Sequence, residues 1–243
     1  MEKFIRYLEK QNYSKNTIYS YRYALTDFFK FLGGKTITLF NTSKYLKSQV
    51  SKYKPATVQF KKHVILSYLR YSKCKFLDEI ESIKIPSISN VFFNTINNQM
   101  FETIVETVKK QEVKDLFKIL YYTGIRISEL KQLKYNKNKN SLIIFGKGMK
   151  YREIPILKPI NNINFEKYNK YSKKQIYQLI KDYWPNWVTP HTFRRSFCTN
   201  LIRKGANIKI VSMIMGHSKI ETTARYLHFT SSDIIKELEN HFD

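Results

Sequence analysis

The sequence predicts a mainly α protein with a small β-hairpin or sheet, arranged as two domains: an N-terminal helical bundle over residues 1–84 and a C-terminal domain over residues 98–243, with a linker at 85–97. Three observations predict it. Apolar residues recur at helical spacing along most of the chain, opened by Ser, Thr or Pro and closed by Gly. Two apolar runs, Ser141 to Phe145 and Tyr151 to Ile156, flank Gly146-Lys147-Gly148 in the manner of a hairpin. Between the helical regions, SIKIPSISNVFFNTINNQ carries Pro86 and scattered Ser and Asn with no helical period, as a linker does.

In the first domain, Phe4 to Glu9 reads as a short apolar turn. Ser14 offers an N-cap to a helix in which Ile18, Tyr21, Leu25, Phe28 and Leu32 keep a 3.6 period until Gly33-Gly34 ends it. A further helix is expected from about Thr42 to Lys52, and a fourth segment starts near Pro55, with Val58, Ile65, Tyr68 and Leu69 on its apolar face. Within the linker, Val91, Phe92 and Phe93 are expected to dock on one domain.

The second domain opens with a helix from Asn98 to about Lys110, then one holding Val113, Leu116, Phe117, Leu120 and Tyr121, broken by Thr123-Gly124. Arg126 is expected at the start of a helix carrying Glu129, Leu130 and Leu133; from the residues alone it is a salt-bridge partner of Glu129. Asn136 to Asn140 is a polar turn, and the Lys between two glycines at 146–148 sits on a tip able to swing onto a substrate. Ser172 and Gln175 form a capping box for a helix with Ile176, Leu179, Ile180 and Tyr183. Pro190 and Thr192 set up another, with Phe193, Phe197 and Leu201 leading toward Gly205, and His191 and Arg194 three apart on one face. A short helix from Ile208 to Met215 stops at Gly216, leaving His217 just beyond its end, and Tyr226 falls in a third segment, Glu221 to Phe229. In the tail, Ser232 or Asp233 caps a helix with Ile234, Ile235 and Leu238.

Composition points to a polyanionic partner. The 43 Lys and Arg outweigh 19 Asp and Glu, a formal charge of +24 over 243 residues, and both halves share the excess. No window approaches the roughly 18 apolar residues of a membrane span, and the start MEKFIRYLEK lacks the apolar core of a signal peptide. Cys74 and Cys198 fall in different halves with neither a CxxC partner nor a zinc-like His spacing, so both are expected to be reduced thiols of a cytoplasmic protein, with no metal site.

Taken singly, each His or Tyr here has an ordinary structural use; their order does not. Thr123-Gly124-Ile125-Arg126-Ile127-Ser128-Glu129-Leu130, then Gly146, Lys147, Gly148, Lys150, Arg152 and Pro155, then His191-Thr192-Phe193-Arg194-Arg195, then Gly216, His217, Thr222, Thr223 and Tyr226 resemble, in order and over about a hundred residues, the boxes of the tyrosine recombinase (phage integrase) family. Arg195 stands where that family usually has His, and Met215 where it has Leu. NYSKNTIYSYRYALTDFFKFL also resembles the family's core-binding domain, and the absence of a separate arm-binding stretch makes the chain more similar to Xer-type recombinases than to larger phage integrases.

The resemblance implies a core-binding domain followed by a catalytic one, and a site-specific recombinase that cuts and rejoins double-stranded DNA through a 3′-phosphotyrosyl intermediate, in dimer resolution and chromosome partition or in mobile-element integration and excision. It implies a catalytic set of Arg126, Lys147, His191, Arg194, His217 and Tyr226, with Glu129 as support. A phenol of pKa about 10 needs help to attack at neutral pH. Two guanidiniums can offer paired donors to the phosphoryl oxygens, each worth about 3 kcal/mol as charge develops. By the same carry-over His191 accepts the Tyr226 proton, His217 adds a hydrogen bond and Lys147 protonates the departing 5′ oxygen. No cofactor, ATP or metal is implied, since the phosphotyrosyl bond conserves the energy of the broken linkage. Lys15, Arg22, Lys44, Lys54, Lys61, Lys62 and Arg195 are expected to contact DNA, and the partners implied are a homo- or hetero-tetramer on two sites, a possible accessory protein and no membrane. A type IB topoisomerase-like relaxing enzyme and an inactive DNA-binding protein on the same scaffold are the alternatives.

Overall fold

Several helix starts in this protein carry side-chain caps, and several stops follow glycines in the left-handed region. The structure, a computed structural model, describes residues 1–86, 94–146, 151–217 and 220–224. The chain divides into two units, Met1–Val91 and Phe92–Asp243.

In the first unit, α1 (Glu2–Lys10), α2 (Lys15–Leu32), α3 (Leu39–Val50), α4 (Pro55–Tyr71) and α5 (Leu77–Ser82) form a bundle. The segment expected to be a turn at Phe4–Glu9 is a helix, because Phe4, Ile5 and Leu8 fall on one face and bury against Tyr21, Leu25 and Val64. Ser14 caps α2 by accepting from the Thr17 amide, as expected. The third helix begins upstream of Thr42, since Thr38 Oγ1 accepts from the Asn41 amide and so supplies the cap. The short α5 was not anticipated. Its carbonyl end is held by Lys62, whose ammonium donates to Glu81 O and Ile83 O at 2.7 and 2.6 Å, and the buried Ile80 with the partly buried Leu77 anchors it in the core.

Lys61 corrects an expectation. It is 3% exposed, its ammonium donating at 2.6 Å to both Asp27 Oδ2 and Gln49 Oε1 and lying 4.0 Å from the centre of the Tyr53 ring. Tyr45 OH donates to the same Asp27 oxygen at 2.6 Å. Burial alone would raise the Asp27 carboxyl, but these two hydrogen bonds hold it below its ordinary value. Lys61 is therefore an internal tie between α2, α3 and α4 and is not available to a DNA backbone.

In the second unit, α6 (Asn98–Thr107) and α7 (Gln111–Thr123) lead into a single 3₁₀ turn, Leu130–Gln132, and a three-stranded antiparallel sheet of β1 (Lys134–Asn136), β2 (Ser141–Phe145) and β3 (Tyr151–Pro155) in that order. The β2–β3 register pairs Leu142 with Ile154 and Ile144 with Arg152, which turns Leu142, Ile144 and Ile154 into the core. The helix expected after Arg126 does not form. The Glu129 carboxylate accepts from the Arg126 amide at 2.8 Å and closes a tight turn, and the chain must be extended again by Lys134 to add a third strand. Two further 3₁₀ segments, Lys158–Ile160 and Phe165–Lys170, precede α8 (Lys173–Tyr183), α9 (Pro190–Arg203), α10 (Ile208–Met215) and α11 (Ile220–Ala224). Phe101, Phe117, Trp184 and Phe193 make an aromatic centre between α6, α7 and α9, with Trp184 and Phe193 edge to face at 4.9 Å between ring centres.

The end of the linker is fastened to this unit. The Ile96 amide donates to Ser196 Oγ at 2.7 Å, and its carbonyl accepts from Asn200 Nδ2 at 3.2 Å. Val91, Phe92, Phe93 and the tail residues expected to form a helix lie outside the described residues.

Two substitutions test these assignments. Lys61→Ala leaves Asp27 and Gln49 without their shared donor and is expected to lower the unfolding free energy by about 3 kcal/mol in a denaturant titration. Gly124 closes α7 at φ +59°, where an added Cβ would stand 2.4 Å from Phe197 Cδ1; Gly124→Ala is expected to cost on the order of 2 kcal/mol by the same measurement.

Candidate active site

Three chain reversals bring the site together. The first is the left-handed Gly124 at the end of α7, after which the chain turns to present Arg126. The second is the start of α9. Thr189 and Thr192 form a reciprocal capping box there with Pro190 in the first turn, so His191 and Arg194 project from one face of the first turns. The third is Gly216, left-handed at φ +62°, which ends α10 and leads the chain to His217. A Cβ on Gly216 would lie 3.1 Å from Arg152 Nη1, so this reversal is packed directly onto β3.

Arg194 joins the three. It is 3% exposed; Nη1 donates to Gly124 O at 2.6 Å, and Nη2 donates to Met215 O and, at 3.2 Å, meets His217 Nε2. Because a guanidinium only donates, Nε2 of His217 is the acceptor and Nδ1 carries the ring proton toward Thr223 Oγ1, 2.8 Å away. Burial, then Arg194, Arg126 and Arg152, lower the His217 pKa to about 4. Burial, then Arg194, Arg126 and Arg195, also lower that of His191. Both imidazoles are thus neutral near pH 7, and His191 is able to accept a proton.

Glu129 is the counter-ion of the site. Its carboxylate, 5% exposed, receives Arg126 Nη1 at 2.8 Å and a two-pronged contact from Arg152 at 3.0 and 2.8 Å, besides the Arg126 amide. Burial would raise its pKa; hydrogen bonds from Arg152 and from the Arg126 amide and guanidinium prevail and hold it at about 2. Arg126, His191 and Arg194 then line one recess of about 230 Å³, together with Ser128, Lys173 and Tyr177.

Four of the six expected catalytic residues, Arg126, His191, Arg194 and His217, are therefore brought together; Lys147 and Tyr226 lie outside the described residues. Of the expected DNA contacts, Lys15, Lys44 and Lys54 are exposed, Arg22 pairs with Glu2 at 2.5 Å, and Lys62 holds the end of α5. Arg195 Nη2 reaches back to Thr192 Oγ1 at 3.3 Å, bracing the start of α9. Two features escaped the sequence reading, the Arg152 pairing and the place of Lys173 and Tyr177. Arg152 fitted the hairpin pattern, but its pairing with Glu129 spans 23 residues. Of the two motif threonines, Thr223 is buried against His217 and Thr222 is exposed, and nothing local in the sequence distinguishes them. Lys173 and Tyr177 belong to a helix with no motif of its own.

Residues 157–232 match the model of the phage integrase family. Along its length the chain is similar to the tyrosine recombinase XerA of Pyrococcus horikoshii, with 31% identity covering 98% of this chain and 92% of the relative. The chain belongs to the tyrosine recombinase family. It is a site-specific recombinase, as the four separated motifs implied. The recombinase is also similar to the XerD tyrosine recombinase of Lacticaseibacillus casei, at 26% identity over 96% of this chain and 94% of the relative. In fold it matches the Tn1549 transposon integrase, solved in complex with transposon right end DNA, with a TM-score of 0.76 at 19% identity, covering 98% of this chain and 97% of the other.

The Glu129 value fixes a pH dependence for the recombinase. A carboxyl held at about 2, below its ordinary 4.5, stabilises the fold fully above about pH 4.5 and loses that contribution as pH falls toward 2. Glu129→Gln is expected to lose about 3 kcal/mol of stability at pH 7. Denaturant titrations at pH 7 and pH 3 should show the gap between wild type and variant narrowing at the lower pH.

Proposed function

We propose that this recombinase cuts and rejoins double-stranded DNA through a transient 3′-phosphotyrosyl bond to Tyr226, with the scissile phosphate seated in the recess shared by Arg126, His191 and Arg194. That shared recess is the observation that carries the reading. Arg126 and Arg194 offset the charge that grows on the non-bridging oxygens. The neutral His191 takes the proton as the Tyr226 oxygen attacks phosphorus, and the 5′ oxygen departs with a proton from Lys147. Reversal of these transfers, with a new 5′ hydroxyl attacking and Tyr226 leaving, joins the strands. His217 donates to the phosphate only with Nε2 protonated. An anion beside it raises the pKa from about 4 and draws that proton in, releasing the Arg194 contact to the same phosphate.

On this reading the N-terminal unit is the core-binding domain, 1–84, and the catalytic domain spans 98–243. The exposed Lys15, Lys44 and Lys54 and the partly exposed Arg22 contact the backbone of the same duplex. The assembly is a tetramer on two sites, acting in the cytoplasm. The net charge of +24 supports polyanion binding. Among the described residues no helix is long and apolar enough to cross a membrane.

Incubation with a nicked suicide duplex bearing the target site is expected to give a covalent protein–DNA adduct. Tyr226→Phe should bind the same duplex with wild-type affinity and reduce the adduct to background. An adduct that survives this change would refute Tyr226 as the nucleophile.

A further inference from the structure

Two residues at the edge of the recess have no part in the chemistry above. Lys173 and Tyr177 stand one turn apart on α8 and line the same recess as Arg126, His191 and Arg194. Their direction is fixed. Ser172 and Gln175 satisfy each other's amides at 2.9 and 3.2 Å, which sets where the helix begins. Ile176 and Ile180 are fully buried, which sets its rotation. Lys173 makes no ion pair among the described residues, and Tyr177 leaves 44% of its surface exposed.

The recess therefore gathers three basic side chains, Arg126, Arg194 and Lys173, with no carboxylate among the described residues that line it, while the nearby Glu129 is shared between Arg126 and Arg152. A single phosphodiester carries one negative charge. That is too little to answer the three cations, whereas a DNA strand supplies another phosphate about every 3.4 Å along the helix axis. A Lys side chain is a flexible point charge able to reach a neighbouring phosphate, and a tyrosine ring offers a flat apolar surface to a sugar.

We propose that Lys173 holds the phosphate next to the scissile one on the cleaved strand, with Tyr177 packed on the intervening sugar, so that α8 fixes the register of the strand in the recess. Lys173 is a positioning residue, and the assignment rests on the reading of the recess as the scissile-phosphate site. The test uses the full chain and the suicide duplex, with and without an uncharged methylphosphonate at the neighbouring phosphate, and compares wild type, Lys173→Ala and Lys173→Arg. Lys173→Ala is expected to keep the wild-type melting temperature, to lower the slope of log affinity against log salt by about 1, and to slow adduct formation about 10-fold, with Lys173→Arg recovering most of the loss. On the methylphosphonate duplex wild type should fall to the level of Lys173→Ala, and the variant should lose nothing more.

An unchanged salt slope in Lys173→Ala, or losses from variant and methylphosphonate that add, would overturn the assignment. So would a loss confined to one base pair of the site, which would mark a base contact. Absence of an adduct in wild type would instead count against the reading of the recess, while the salt slope would still report on Lys173.

Discussion

A guanidinium taken out of water is costly unless its donors are met, and in this protein meeting them assembles the site. Arg194 is buried from the first turns of α9, and the groups that satisfy it come from elsewhere: the Gly124 carbonyl at the end of α7, the Met215 carbonyl at the end of α10, and His217 just beyond. Both carbonyls lie at or beside helix ends, where intrahelical partners run out and an external donor is welcome. One side chain thus settles two helix termini and ties the segment of Arg126, two residues past Gly124, to His217. Separation of these segments would leave a buried charge without partners, so the geometry is enforced by the fold's own stability.

The same constraint sets the electrostatics. Burial, with Arg194 and Arg126 acting on both rings, Arg152 on His217 and Arg195 on His191, keeps both histidines neutral, and Glu129 alone among the described residues forms ion pairs with Arg126 and Arg152. Such a cluster is under mutual repulsion until an anion enters. An anion relieves that repulsion, and one placed beside His217 raises the pKa of that ring. Glu129 keeps the repulsion tolerable by receiving Arg152 in a two-pronged contact and fixing Arg126 through both amide and side chain.

Lys61 shows the opposite use of a cation. In sequence it is one of several basic residues beside aromatic neighbours, and it looks no different from Lys54 or Lys62. In the fold it is enclosed by Asp27, Gln49, Tyr45 and Tyr53, so a charge that composition counts toward DNA binding serves the interior of the bundle. Net charge is a sound guide to the partner of the whole chain and a poor one to the task of any single residue.

What the sequence determined by itself was whatever four or five consecutive residues can fix: the Ser14 and Ser172 caps, the left-handed Gly33, Gly124 and Gly216, the β2–β3 strand pair, and the order of the motifs. Local hydrogen bonds and allowed dihedral angles decide these, and both are written in neighbouring side chains. Only the tertiary structure decided that the chain after Arg126 turns on Glu129 and never becomes a helix, that Thr223 and not Thr222 meets His217, that Lys61 faces inward, and that Lys173 reaches the recess. Each of these depends on burial and on partners many residues away, and a side chain's spacing to its neighbours carries no record of what the fold will bring against it.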